Sequence, residues 1–315
     1  MPPVKTFSFP HGITAIDTYF QRPMMAASHL IVDNAESAFI DVGTKFSVPI
    51  LLEALGQAGL APASVKYVIV THIHLDHAGG AGHLMKILPN ATFIVHPRGG
   101  RHMIDPTKLW AGALQVYGEQ EMKRTYGELI AIPKDRVKEM GDQTELSLGQ
   151  RSLHFFHTPG HAKHHFSIFD TAANSFFTGD TFGLSYRELD SPQGPFIFPT
   201  TTPVHFDPEA MHASIDLIMS HKPESLYLTH FSRIRAEPSI ANKMHQQIDE
   251  LVALAQSLKN APNRHRSLCQ AIENNLLNHI EAHGASIPKE KCLELLAIDI
   301  ELNSQGLGVW LDSQS

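Results

Sequence analysis

The stretch Thr71-His72-Ile73-His74-Leu75-Asp76-His77 constrains this chain more than any other, because it sets four metal-binding side chains into six residues behind an apolar run. That run, residues 65–70, is rich in β-branched and aromatic residues and predicts a buried strand. Ala78-Gly79-Gly80-Ala81-Gly82 follows and predicts a sharp exit into a helix. The potential ligands therefore belong to a loop at the end of a strand. In an extended loop His72 and His74 point the same way, since side-chain direction repeats every two residues, so they can share one ion. Asp76 and His77 diverge unless the chain is turning into a helix, where both can face a second ion.

Further donors of the same kind recur downstream at the ends of predicted strands. His161 lies in His157-Thr158-Pro159-Gly160-His161, Asp180 in Thr178-Gly179-Asp180, and His230 in Leu228-Thr229-His230. Histidine is in excess overall, with 21 copies in 315 residues, which asks for a chemical reason. The two cysteines, Cys269 and Cys292, stand in no metal-ligand or CxxC spacing, are expected to be core thiols, and fit a reducing compartment. The N-terminus shows no basic and apolar leader pattern, so a cytoplasmic location is the expectation. No segment approaches the ~18 consecutive apolar residues of a membrane span. A formal net charge of −7 gives no general attraction for phosphate backbones, so neither nucleic acid nor membrane is an expected partner.

Strand and helix patterns alternate through the first half of the chain. Ser28–Val32 and Ala38–Val42 flank the turn residues Asp33-Asn34 and predict a hairpin, and 49–59 has helical spacing. Residues 92–95, 152–156, 166–169, 175–177 and 225–228 predict further strands. The mixed segment 97–138 is read as an insertion near the active site. From Ser239 the apolar residues recur at helical spacing, so 1–238 is expected to form the catalytic domain and 239–315 a helical region of three helices. Twofold pairing is the commonest oligomer, so a homodimer is the base expectation.

In order and spacing, HIHLDH, HTPGH, TGD and the strand-end His230 resemble the metallo-β-lactamase superfamily, over about the first 235 residues. The resemblance implies an α/β fold, a four-layer αββα sandwich, here with a C-terminal helical appendage. It implies two divalent ions, zinc first and iron or manganese as alternatives, with His72, His74 and His161 on one, Asp76, His77 and His230 on the other, and Asp180 bridging. Asp76 and Asp180 are then the catalytic carboxylates. His165, four residues beyond His161, is placed either to hydrogen-bond beside the ions or to serve a plain structural role. Two such ions share a water of lowered pKa and polarise the bond to be cleaved.

Within the superfamily the pattern is most similar to the glyoxalase II branch, which implies a small-molecule substrate and thioester or other small-ester hydrolysis. Residues 181–188 depart from that branch's glutathione-recognising pattern of glycines and basic residues. Lactone hydrolysis and phosphodiester hydrolysis are the alternatives. Outside hydrolysis stand a mononuclear-iron persulfide dioxygenase and a ligand-binding protein without turnover. Tyr186 and Arg187, close behind Asp180, are the first candidates for substrate contact; Arg22, Arg98, Arg101, Tyr117 and Tyr126 are further ones.

Overall fold

A computed structural model describes residues 3–201 and 203–314. The chain runs β1 (Thr6–Phe9), β2 (Ile13–Asp17), β3 (Ala27–Asp33), β4 (Glu36–Ile40), α1 (Val48–Gln57), β5 (Val65–Ile69), α2 (Leu75–Ala78), α3 (Ala81–Ile87) and β6 (Thr92–Val95). It continues through α4 (Pro97–Ile104), α5 (Thr107–Glu121), β7 (Val137–Glu139), β8 (Thr144–Leu148), β9 (Arg151–His157), β10 (Phe166–Asp170) and β11 (Ser175–Gly179). Last come α6 (Pro208–Ser220), β12 (Ser225–Leu228), β13 (Ser232–Arg235), α7 (Pro238–Ser257), α8 (Arg264–His283) and α9 (Lys289–Ser313). These elements form two compact units, one of Met1–His157, His164–Gly179 and Glu224–Arg233, the other of Thr158–Lys163, Asp180–Pro223 and Ile234–Ser315.

The first unit is built on two sheets. One has the order β1-β2-β3-β4-β5-β6-β7, antiparallel through β4 and parallel beyond it. The hairpin expected at 28–42 is β3–β4: Asp33 pairs with Glu36, and Asn34 takes the left-handed φ of 55° that a two-residue turn demands. The other sheet has the order β13-β12-β11-β10-β9-β8, with β11 and β12 parallel.

Side-chain alternation explains why the sheets stack. Ala38, Ile40, Ile69 and Ile94 face Phe155, Phe166, Ile168 and Phe177 of the second sheet, in a wholly buried layer. Their neighbours Phe39, Val68, Phe93 and Val95 point the other way, against Leu51 and Leu55 of α1 and Leu84 and Met85 of α3. Both faces of β4, β5 and β6 are covered, which is why these strands read as continuous apolar runs. The segment 97–138 holds α4, α5 and a π-helical turn, Met122–Tyr126, and joins the neighbouring parallel strands β6 and β7.

The second unit contains the three long helices α7, α8 and α9 as its C-terminal part. Leu268, Ile272, Leu276 and Ile280 of α8, with Leu296, Ile300 and Leu307 of α9, are buried at the spacing of one helix face. Cys292 is buried as expected, but Cys269 is not a core thiol: it lies part-exposed on α8, because the buried stripe passes through Leu268 and Ile272. Among the described residues no helix is long and apolar enough to cross a membrane.

Candidate metal centre

In the first unit, β5 stops at Ile69 and the chain is carried forward by two backbone bonds, Val70 N–H to the Ile94 carbonyl (3.1 Å) and Phe166 N–H to the Thr71 carbonyl (3.0 Å). His74 is extended, with φ −62° and ψ 150°, and α2 begins immediately after it. This change from extended loop to helix is the one that lets Asp76 and His77, adjacent in sequence, face one point. Asp76 Oδ2 lies 3.6 Å from His77 Nε2 and 3.3 Å from His230 Nε2. Asp76, His77 and His230 offer ligand atoms within 4.8 Å of one another. His72 Nε2 and His74 Nδ1 stand 2.9 Å apart, and the His72 ring lies 4.0 Å from that of His77.

Hydrogen bonds at the other ring nitrogens aim these imidazoles. His77 Nδ1 donates to Asp41 Oδ2 at 2.8 Å and His230 Nδ1 to the Met25 carbonyl at 2.8 Å. With Nδ1 carrying the proton, Nε2 presents its lone pair towards Asp76, the tautomer a metal requires. A converging set of imidazoles and a carboxylate, without thiolate, suits zinc, iron or manganese, so the residues present fit the divalent ion the sequence resemblance implies.

Asp41 organises this end of the unit, and it is a residue the sequence reading missed. Fully buried just beyond β4, it accepts from Thr71 N–H (2.8 Å), Thr71 Oγ1 (2.9 Å), His77 Nδ1 (2.8 Å) and Thr229 Oγ1 (2.6 Å). One carboxylate thus ties the strand-end loops that carry His72, His77 and His230. Its only trace in the sequence is a lone acid closing the apolar strand Ala38-Phe39-Ile40.

His165 is buried with its ring 5.0 Å from that of His72, and His164 lies 5.6 Å from His74. Gly179 has φ 52°, and a Cβ there would lie 2.5 Å from His165 Nε2 and 2.6 Å from Thr71 Oγ1, so this position excludes any larger residue. Tyr117 and Tyr126, from the 97–138 segment, pair at 5.1 Å between ring centres, with Phe20 5.8 Å from Tyr126. Burial pushes the Tyr117 hydroxyl up to about 12, helped by the negative charge of Asp76, and raises Tyr126 for the same reasons together with its neighbour Tyr117. A cleft of ≈590 Å³ opens beside this segment, lined by Lys45, Phe46, Trp110, Lys123, Gly127 and Leu129 among others. Arg98 and Arg101 lie exposed on α4, and Arg22 donates to the Pro23 carbonyl at 3.1 Å.

In the second unit His161 Nε2 and Asp180 Oδ2 stand 3.6 Å apart, both buried. The His161 loop is seated on α6 through Asp207 N–H to the Gly160 carbonyl (2.9 Å) and Ser214 Oγ to the Pro159 carbonyl (2.6 Å). Thr181 Oγ1 donates to the Thr158 carbonyl at 2.8 Å, fixing the turn after Asp180 to the same loop. Tyr186 is 0% exposed and its hydroxyl donates to Asp299 of α9 at 3.0 Å. Arg187 donates to the Ser185 carbonyl at 2.7 Å and pairs with Asp190 at 3.5 Å. These bonds account for both side chains as internal ties of this unit.

Not all of the histidine excess serves this chemistry. His29 is buried between Phe177 and Tyr227, where burial holds its imidazole down to about 4. His96, packed 4.1 Å from His157, is likewise held to about 4, chiefly by burial. Others, such as His212 and His245, stack on the surfaces of α6 and α7.

Residues 22–230 match the model of a family described as the metallo-beta-lactamase superfamily. Metallo-beta-lactamase fold-containing protein ST1585 of Sulfurisphaera tokodaii is 30% identical over 142 residues, 44% of this chain and 50% of that relative, so the chain spans about half that relative's length. N-acyl homoserine lactonase AttM of Rhizobium radiobacter is 32% identical over 124 residues, 39% of this chain and 43% of the lactonase. Among solved structures, a metallo-beta-lactamase family protein from Thermus thermophilus superposes with a TM-score of 0.68 at 16% identity, covering 99% of this chain and 93% of that one. An archaeal superfamily protein from Sulfolobus tokodaii gives 0.64 at 23% identity, covering 97% and 99%. At these identities the superpositions establish the fold alone.

Proposed function

This chain belongs to the metallo-beta-lactamase superfamily, and on that premise we propose that it is a metal-dependent hydrolase of a small thioester or another small ester. The observation that carries the reading is the convergence of Asp76, His77 and His230, with both imidazoles held in the metal-binding tautomer from behind. Two divalent ions are proposed, His72, His74 and His161 holding one, Asp76, His77 and His230 the other, with Asp180 between them. The order of the four motifs along the chain supports this assignment of ligands.

Bound ions of this kind activate water and polarise the scissile carbonyl. The chain's own residues supply the rest. Asp41 retains the Nδ1 proton of His77 and the Met25 carbonyl that of His230, so neither ring turns away from its ligand role. The Tyr117 and Tyr126 phenols stay protonated at neutral pH, and Tyr117, which accepts from Tyr126, offers its own O–H near Asp76 for orienting a substrate oxygen. The cleft lined by Phe46, Trp110 and Leu129 suits an apolar acyl portion; of its charged lining residues Lys123 is already paired with Glu119 at 2.6 Å, and Lys45 shares the lining with Glu128.

The test is turnover by zinc-, manganese- or iron-loaded protein over thioesters, lactones and phosphodiesters. Preference for thioesters supports the proposal; activity confined to phosphodiesters, or none with metal bound, refutes it. A second reading, lactone hydrolysis, is favoured by the similarity to the AttM lactonase and would appear as a lactone preference in the same panel.

A further inference from the structure

We propose that His265, Cys269 and Glu301 form a second metal-binding site, of the zinc class, that clips α8 to α9. His265 and Cys269 are four residues apart on α8 and so share one face of the helix; Glu301 reaches them from α9. Cys269 Sγ lies 3.6 Å from His265 Nε2 and 3.8 Å from Glu301 Oε2, and those two atoms are 3.2 Å apart. Zinc takes sulfur at ~2.3 Å and nitrogen or oxygen at ~2.0–2.2 Å, so a tetrahedral ion requires ligand separations of ~3.6 Å from sulfur and ~3.4 Å between nitrogen and oxygen. The three separations observed lie within a few tenths of an ångström of those edges.

The side chains need only slight adjustment to accept an ion, and the helices that carry them are already fixed. Leu268 and Ile300, adjacent to the cluster in sequence, are buried, and Arg264 bridges α8 to Asp312 of α9 at 2.7 Å. His265 and Glu301 are about half exposed, at 52% and 48% for their side chains, so an ion has an open path and its fourth position can be taken by water. A set of one sulfur, one nitrogen and one oxygen favours zinc, cobalt or copper over calcium or magnesium, which take oxygen. Cys269 supplies the soft ligand that the His/Asp set of the candidate centre lacks, and that difference makes the two sites separable by spectroscopy.

The experiment is titration of the full chain, stripped by chelator, with Co²⁺, reading the near-ultraviolet thiolate-to-cobalt charge-transfer band. The expected result is a band that saturates at one thiolate per chain, vanishes in Cys269→Ser, persists in Cys292→Ser and weakens in Glu301→Gln. Wild-type protein gives a check free of folding effects: zinc should slow alkylation of Cys269 by about tenfold or more, since the bound sulfur is no longer an available nucleophile. No charge-transfer band at saturating cobalt, a band that survives Cys269→Ser, or an alkylation rate indifferent to zinc would each overturn the proposal. Since the readouts follow the sulfur alone, they do not depend on hydrolase activity.

Discussion

Replacing Asp41 should damage both the fold and metal binding, in amounts that can be separated. Its carboxylate accepts from four buried donors, Thr71 N–H, Thr71 Oγ1, His77 Nδ1 and Thr229 Oγ1. A buried donor that loses its acceptor costs about 1–3 kcal/mol, and Thr71 Oγ1 has a second neighbour, His72 Nδ1 at 3.2 Å, so Asp41→Ala should cost about 3 kcal/mol even at the low end. That is a large share of the ~5–15 kcal/mol that holds a folded protein together. At ~2–4 °C per kcal/mol, the metal-free variant should melt ~10 °C below wild type. Asp41→Asn keeps one acceptor oxygen but turns an amide N–H₂ towards the remaining donors, and should cost about half as much. Both changes release the His77 ring, so metal affinity, read by competition with a coloured chelator, should fall ~10–100-fold. Metal-free Asp41→Ala melting within ~2 °C of wild type, less than the shift for 1 kcal/mol, with unchanged metal affinity, would refute this role for Asp41.

Asp180→Ala should abolish hydrolysis while leaving the far-ultraviolet circular dichroism spectrum close to wild type; full retained activity would remove Asp180 from the proposed centre. Stability should fall on acidification through the histidines kept neutral by burial. His29 titrates at about 4 in the folded chain against 6.5 normally, so between those values the unfolded chain binds a proton that the folded one refuses. Its contribution declines as pH drops through that window, by up to ~3 kcal/mol, and His29→Phe should flatten the dependence of the urea midpoint on pH. Equal slopes for both proteins would contradict the assignment. Tyr186→Phe removes the hydroxyl from buried Asp299 and should cost ~1.5–3 kcal/mol by denaturant unfolding without changing KM. A raised KM with unchanged stability would instead restore Tyr186 as a substrate contact.

Where a residue's role follows from local pattern, the sequence carried it. The alternation of Phe39 with Ile40, and of Phe93 with Ile94, is legible because both faces of those strands are covered. The change at His74 from extended loop to helix is likewise implied by the glycines that follow. Short, half-exposed elements such as β1 and β7 escaped notice, since they owe their existence to pairing with β2 and β6 and carry little pattern of their own. Asp41 escaped for a different reason: its partner Thr229 lies 188 residues away, and only the assembled strand ends bring the two together. Nearness in sequence to Asp180 makes Tyr186 a candidate for substrate contact, while its hydroxyl donates to Asp299 of α9, a partner 113 residues away. The sequence shows no metal-ligand spacing at Cys269, because the Glu301 that completes its cluster with His265 is on another helix.

Hydrolysis is proposed to depend on metal held by the His/Asp set. The most direct test is the initial rate of thioester hydrolysis by the intact chain before chelation, after it, and after zinc is restored, with His77→Ala run in parallel. The prediction is loss on chelation, recovery on zinc addition, and no recovery in His77→Ala. A rate indifferent to the chelator, or a His77→Ala protein that recovers as wild type does, would contradict it.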